Sequence, residues 1–180
     1  MVNDIYNDIS RRTDGDIYIG VVGPVRTGKS TFIKRFMELV VLPEMDDPDE
    51  KQRTRDELPQ SASGRLVMTT EPKFVPKQAA KIQFPNKETG RIRLIDCVGF
   101  MVPGAVGSLD LEERMVRTPW SEEEMEFSKA AAIGTRKVIH DHANIGIVLT
   151  TDGTFGELKR KDYEEAAVSY THLRAHETLM

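Results

Sequence analysis

Eight residues constrain this chain more than any others. Gly23-Pro24-Val25-Arg26-Thr27-Gly28-Lys29-Ser30 matches the pattern G-x-x-x-x-G-K-[ST] in full. The run before it, Ile17 to Val22 (IYIGVV), is short, apolar and β-branched, and it is bounded by Asp14-Gly15 and Gly23-Pro24. It reads as a buried parallel strand. After the motif the period changes: Phe32, Ile33, Phe36, Met37, Val40 and Val41 recur at helical spacing from Lys29 to Leu42, and Pro43 stops the run. Strand, glycine loop and helix is the order a phosphate-binding loop requires. The glycines let the backbone curl so that several N–H groups face one anion, and the helix N-terminus adds partial positive charge at the same point. Lys29 can reach the β- and γ-phosphates and the Ser30 hydroxyl can ligate Mg²⁺. Thr31 follows in the first helical turn. Arg26 either contacts a phosphate or a neighbouring subunit, or faces solvent at a permissive position.

The rest of the chain supplies the alternation such a loop sits in. Residues 3–12 have the pattern of a short amphipathic helix, with Ile5, Tyr6 and Ile9 on one side. Residues 44–57 are almost entirely charged or polar and read as a solvated loop or short exposed helix, against the alternative of an acidic docking surface. Residues 74–84 and 91–98 look like two strands joined by the turn-rich link 85–90, short enough for an antiparallel pair. A loop from Gly99 to Trp120 follows. Ser121 with Glu124 three residues on is a capping-box signature, which predicts a helix from there to about His142 with Phe127, Ala131, Gly134 and Val138 on one face. Ile145 to Leu149 is another buried strand, and a further helix begins near Glu157. The pattern is α/β in three layers, with a mostly parallel sheet and one antiparallel hairpin.

Composition narrows the classes. The 180 residues carry 25 Lys+Arg against 29 Asp+Glu, a net charge of −4, so binding of nucleic acid through bulk charge is excluded as a first reading. One cysteine, Cys97, allows no intrachain disulfide and fits a reducing compartment. No apolar run approaches the roughly 20 residues needed to span a bilayer, and the N-terminus lacks a signal-peptide pattern, so a cytoplasmic protein is expected.

Two further elements point to a nucleotide. Arg93 to Gly99 (RLIDCVG) is a strand ending in D-x-x-G: Asp96 can hold Mg²⁺ through water, and Gly99 can offer its N–H to a γ-phosphate. In Met68-Thr69-Thr70-Glu71-Pro72 a threonine hydroxyl can close over Mg²⁺ and report on the γ-phosphate; the bland reading is two β-favouring threonines at a strand edge. Phe100 stands where many switch GTPases carry a glutamine, and it cannot orient the attacking water. Asn86-Lys87-Glu88-Thr89 starts like the guanine-reading N-K-x-D but lacks its Asp and lies in the hairpin turn, so nothing specifies guanine. His140 and His142 read as charge at a helix C-terminus. His172 and His176 lie in the segment from Val168 to Thr178, which resembles a translated sequencing-adapter read-through; residues 168–180 are accordingly set aside as a non-native tail.

With these residues in hand, the chain resembles the N-terminal part of the stage IV sporulation protein A family. The resemblance is carried by Gly15 to Tyr18 and Gly20 to Gly23, Val25 to Ile33, Phe36 to Pro43, Asp56 to Ser61, Met68 to Pro76, Asp96 to Gly99 and Val102 to Ala105. Thr118 to Trp120, Ile133 to Ile139 and Thr150 to Thr154 complete it. It implies a P-loop NTPase fold of the translation-factor-related GTPase class over residues 1–167, incomplete before its last strands. It also implies an ATPase, with ATP and Mg²⁺ as cofactors, made in the mother cell of endospore-forming bacteria and lying at the forespore outer membrane surface. The implied partners are further copies of itself in a homopolymer, a small amphipathic membrane-anchoring peptide and other coat morphogenetic proteins, with no nucleic acid. Lys29 becomes the phosphate-loop lysine, Ser30 the Mg²⁺ ligand, Asp96 the Walker B aspartate, and Thr69 and Thr70 the sensor threonines, with Thr70 also at the metal. The resemblance also implies later domains, and an arginine that completes the family's active site, which are expected to lie outside this sequence. A strand at Ile145–Leu149 left at an open edge makes poor solubility of the isolated chain the expectation. The competing readings are a GTPase-like switch that recruits partners without polymerising, and a catalytically silent nucleotide-binding scaffold.

Overall fold

The computed structural model describes residues 15–25, 27–59, 71–83, 89–101 and 114–150. The expected helices at 3–12 and from Glu157, the turn residues 84–88, the loop 102–113 and the tail 168–180 lie outside the described residues, as do Arg26, Thr69 and Thr70. The central sheet has strand order β2-β3-β1-β6, built from β1 (Asp16–Val22), β2 (Lys73–Gln83), β3 (Thr89–Asp96) and β6 (Ile145–Val148). β1 pairs in parallel with β3 on one side and with β6 on the other, Ile19 opposing Leu94 and Ile145. β2 returns antiparallel to β3 through the expected hairpin. This is the mixed, mostly parallel α/β sheet of a P-loop-type domain.

Both faces of the sheet are covered, as its apolar strands require. Side chains alternate across β1. Ile19 and Val21 face helix α1 (Lys29–Phe36), forming a core with Ile33, Met37, Val41, Leu42, Ile92 and Leu94. Val22 faces the other way, joining Ile95, Cys97, Val138 and Ile139 under helix α3 (Phe127–Lys137) and its last turn. Gly20 lies on that second face. A Cβ there would stand 2.9 Å from both Ala143 Cβ and Val138 Cγ1, so glycine is what lets the end of α3 approach the strand.

Two sequence expectations are corrected, while the polar stretch 44–57 takes one of its two expected forms, a short exposed helix. The first helix does not continue regularly to Leu42: after Phe36 it widens into a π-helical turn over Met37–Val41, then a 3₁₀ turn over Leu42–Glu44 that accommodates Pro43. The widening turns Met37 and Val41 inward together and leaves Leu39 and Val40 72% and 48% exposed, so Val40 is not on the core face. The polar stretch after it holds helix α2 (Pro48–Asp56), capped by Asp47, whose Oδ1 accepts from the amides of Asp49 and Glu50 at 2.9 and 3.2 Å. Its carboxylates have intramolecular work: Glu57 Oε2 accepts from Lys77 N at 2.7 Å and Glu50 Oε1 from Lys81 N at 3.3 Å, occupying outward amides of the edge strand β2.

The second correction concerns Ser121. It caps nothing; its Oγ donates to the Glu123 carbonyl at 3.0 Å, within a strand. Strands β4 (Met115–Thr118) and β5 (Ser121–Glu126) form a separate antiparallel ribbon across the Pro119-Trp120 turn, in part of what reads from sequence as a loop and a helix start. A helix over Ser121–Glu126 would bury little, because Met125 is the one apolar residue in that segment. The apolar period begins only at Phe127, and the helix begins there too. Among the described residues no helix is long and apolar enough to cross a membrane.

The crowding at Gly20 gives a direct test. Gly20→Ala should destabilise the chain by about 1–3 kcal/mol through overpacking. Combining it with Val138→Ala should cost less than the sum of the two single changes, because trimming Val138 removes one of the two clashing groups. Urea melts of the four chains measure both quantities; simple additivity would show that the two sites do not touch.

Candidate functional site

The site lies at the carboxyl ends of the three parallel strands, where ligands of open α/β sheets bind. β1 ends at Val22 and the chain turns sharply at Gly23, with φ 151°; its Cβ position is taken by the carbonyl of Leu149, just past β6. The loop is stapled to the segment after β3. Val25 N donates to the Phe100 carbonyl at 3.0 Å and Phe100 N to the Gly23 carbonyl at 3.3 Å. Gly28, at φ 86° with open space around its Cβ position, then turns the chain into α1. That helix starts with no side-chain cap and no acidic residue in its first turn. The first amides of a helix have no carbonyl partner within it, and they carry its partial positive charge.

Lys29, the first residue of α1, is 5% exposed. Its Nζ reaches back across the loop and donates to the carbonyls of Pro24 at 2.6 Å and Gly23 at 3.3 Å. Burial holds its pKa below the usual lysine range, opposed chiefly by its acidic neighbours, Cys97 and Asp96. At Gly99, with φ 93°, a Cβ would collide with the same ammonium and with the Gly23 carbonyl, so no side chain could stand there. The loop, the lysine and the D-x-x-G segment therefore converge on one point.

Ser30 and Asp96, 66 residues apart in sequence, meet there: Ser30 Oγ donates to Asp96 Oδ2 at 2.6 Å. The other carboxylate oxygen, Asp96 Oδ1, is buried and has no hydrogen-bond partner. Burial raises the Asp96 pKa; the Ser30 hydrogen bond and the charges of Lys29 and Lys73 pull the other way. A hydroxyl and a buried, under-satisfied carboxylate beside a helix N-terminus fit a hard divalent cation of the Mg²⁺ kind, which takes few protein ligands and shares the rest with water and phosphate. The donor set fits the group the sequence implies.

The surroundings hold this arrangement in place. The Cys97 thiol donates to the Val21 carbonyl at 3.4 Å, and Thr135 Oγ1, fully buried on α3, donates to the Ala131 carbonyl at 2.8 Å and lies 3.8 Å from Cys97 Sγ. Burial pushes the Cys97 thiol pKa up, so it is a packed, protonated group. Phe100 is 5% exposed, and its backbone is what closes the loop. Thr27 Oγ1 donates to Pro24 O at 2.9 Å, while Thr31 is exposed. Of the expected site residues, the structure brings together Gly23, Pro24, Val25, Thr27, Gly28, Lys29, Ser30, Asp96 and Gly99, with Thr31 on the outer side of the first turn. Arg26, Thr69 and Thr70 lie outside the described residues. The packing roles of Cys97 and Thr135 and the main-chain pairing of Phe100 went unread in the sequence; the nearest signal was the apolar pair Leu94-Ile95 leading into Asp96.

A raised carboxylate pKa has a defined sign. The folded state retains the Asp96 proton after the unfolded chain has released it, so the contribution to stability is lost as pH rises through the folded pKa. Asp96→Asn should therefore raise stability at pH 8 by about 0.5–2 kcal/mol and flatten the acid-to-neutral stability profile. Denaturant melts from pH 4 to 8 test this; a steeper profile in the variant would contradict it.

Comparison with known proteins agrees with this geometry. Residues 1–174 match the family model described as stage IV sporulation protein A, ATPase domain. The chain is 61% identical over 164 residues to stage IV sporulation protein A of Bacillus anthracis, covering 91% of this chain and 33% of that protein. It is 59% identical over 164 residues to the Bacillus subtilis (strain 168) protein, with the same coverage of 91% and 33%. It is 57% identical over 166 residues to that of Clostridioides difficile (strain 630), covering 92% and 34%. The chain thus spans about a third of the length of the curated relatives it matches. No solved structure matches. Phosphate loop, Asp96 strand and sequence identity lead to one statement: the chain belongs to the stage IV sporulation protein A family and carries the ATPase domain of these sporulation proteins.

Proposed function

We propose that this chain is the nucleotide module of an ATPase that binds ATP with Mg²⁺ and hydrolyses it to drive self-assembly into the basement layer of the spore coat. The observation that carries the reading is the Ser30–Asp96 hydrogen bond beside the buried Lys29, at the mouth of a glycine loop. The bound Mg²⁺ supplies charge neutralisation at the β- and γ-phosphates. The chain's residues do the rest. The amides of Gly28 to Thr31 face the phosphates, and Lys29 leaves the Gly23 and Pro24 carbonyls for the terminal phosphate oxygens. Ser30 Oγ and Asp96 would hold the metal. The Gly99 amide senses the γ-phosphate, with Thr69 and Thr70 as the sensors that close over it and couple hydrolysis to the change of shape.

The antiparallel β2 beside the Asp96 strand supports placing the fold in the translation-factor-related class of P-loop GTPases. The match to a family model described as an ATPase domain supports ATP over GTP. The implied setting is the mother-cell cytoplasm at the forespore outer membrane. There the homopolymer meets a small amphipathic anchoring peptide and other coat morphogenetic proteins. One observation favours a second reading: Phe100 is buried where a water-orienting side chain would stand, which suits a nucleotide-binding scaffold that does not turn over.

Phosphate release from ATP and from GTP, measured with the complete gene product, separates these readings. ATP should be hydrolysed in preference to GTP; equal rates favour the switch, and no release favours the scaffold. Lys29→Ala should weaken ATP binding roughly 10- to 150-fold, the loss of one charge-assisted phosphate contact, and abolish turnover. Unchanged hydrolysis in that variant would overturn both the ATPase and the switch. Thr70→Ala should retain ATP in filter binding while assembly, followed by sedimentation, fails; normal assembly would remove its sensor role.

A further inference from the structure

The β4–β5 ribbon has no third strand among the described residues, and a two-stranded ribbon is marginal by itself in water. What holds it is a small apolar layer. Phe127 and Ala131, both 1% exposed, pack with Val116 of β4 and with Val98 and Met101 of the segment after Asp96. Phe127 N also donates to the Arg114 carbonyl at 2.8 Å, and β5 passes into α3 with no residue between them. The ribbon is therefore continuous with the segment that closes the phosphate loop.

Only Gly99 and Phe100 separate Val98 from Met101, and both are fixed to the loop. Gly99 abuts the Gly23 carbonyl and Lys29 Nζ; Phe100 exchanges main-chain hydrogen bonds with Gly23 and Val25. Movement of the Lys29 ammonium off the Gly23 and Pro24 carbonyls toward an anion changes the contact at Gly99. Val98 and Met101 flank the Gly99-Phe100 pair on either side. The ribbon also has reason to possess a second arrangement. Thr118 Oγ1 and Trp120 Nε1 at its turn are buried without hydrogen-bond partners. A packing that satisfies them is within reach of a ligand's differential binding energy.

We propose that the β4–β5 ribbon is the output element of the phosphate site. Occupancy of the loop passes through Val98 and Met101 to Phe127 and Val116, and the ribbon changes its packing and exposure in response. This rests on the nucleotide-binding reading, and the test keeps the two apart. Trp120 is the chain's one tryptophan, so its emission reports on the ribbon turn. Binding of a non-hydrolysable ATP analogue with Mg²⁺ is measured by filter binding. Ribbon response is measured on the same sample by Trp120 emission and by deuterium exchange over residues 115–126. The expected result is saturable binding, a shifted Trp120 emission with the same midpoint, and exchange changed by about threefold or more in the ribbon. Met101→Ala should keep the affinity within about twofold and lose the ribbon response. Binding with a silent ribbon overturns the coupling alone, and a response untouched by Met101→Ala overturns its route. No binding overturns the nucleotide reading and the coupling with it. Exchange in the unsubstituted chain decides the main point whether or not the variant folds.

Discussion

Everything at this site depends on a contact that only backbone can make. Gly23 and Gly99 stand where the carbonyl of Leu149, the carbonyl of Gly23 and the Lys29 ammonium leave no room for a Cβ. Because those side chains are missing, the ends of β1, β3 and β6 close on one another, and Lys29 is drawn into a buried position on the loop's own carbonyls. A buried ammonium loses hydration and is held by two acceptors that an anionic ligand can replace. The loop is thus preorganised around the charge it would use.

The sheet delivers these parts with little slack. Parallel pairing of β1 with β3 carries Val21 to the level of Asp96, and pairing with β6 sets Leu149 against Gly23. Two apolar layers on opposite faces lock that register, since a slip of one residue would exchange the core and solvent sets of side chains. On the outer edge, α2 turns an acidic surface inward onto the amides of β2, which leaves that edge less open to pairing with another chain. The charged stretch thus has a structural use within the chain itself.

Much of this was legible in the sequence. β1, the loop, the start of α1, the β2–β3 hairpin, the Asp96 strand and β6 each carry a local pattern that their neighbours reinforce, and the sheet order follows from them. The β4–β5 ribbon was not legible. Thr118-Pro119-Trp120-Ser121 lacks the Asn-Gly or Asp-Gly signature of a tight hairpin, and the glutamates after it imitate a helix start. A capping box is a local signal worth about 1 kcal/mol, whereas burial of Phe127 against Val98, Met101 and Val116 is worth more and decides where the helix begins. The same competition widened the end of α1, where inward packing of Met37 and Val41 outweighed regular α-helical hydrogen bonding.

By itself the sequence determined the glycine loop between β1 and α1, the alternation of strands and helices, and the kinship to sporulation proteins, because each of these is written in short-range spacing. Tertiary structure alone decided that Ser30 meets Asp96, that Lys29 is buried on Gly23 and Pro24, and that Phe100 serves through its backbone. It alone placed Val98 and Met101 between the loop and a separate ribbon. Those outcomes depend on strand register and on the volume left by absent side chains. Both are properties of residues far apart in the chain, and no local pattern encodes them.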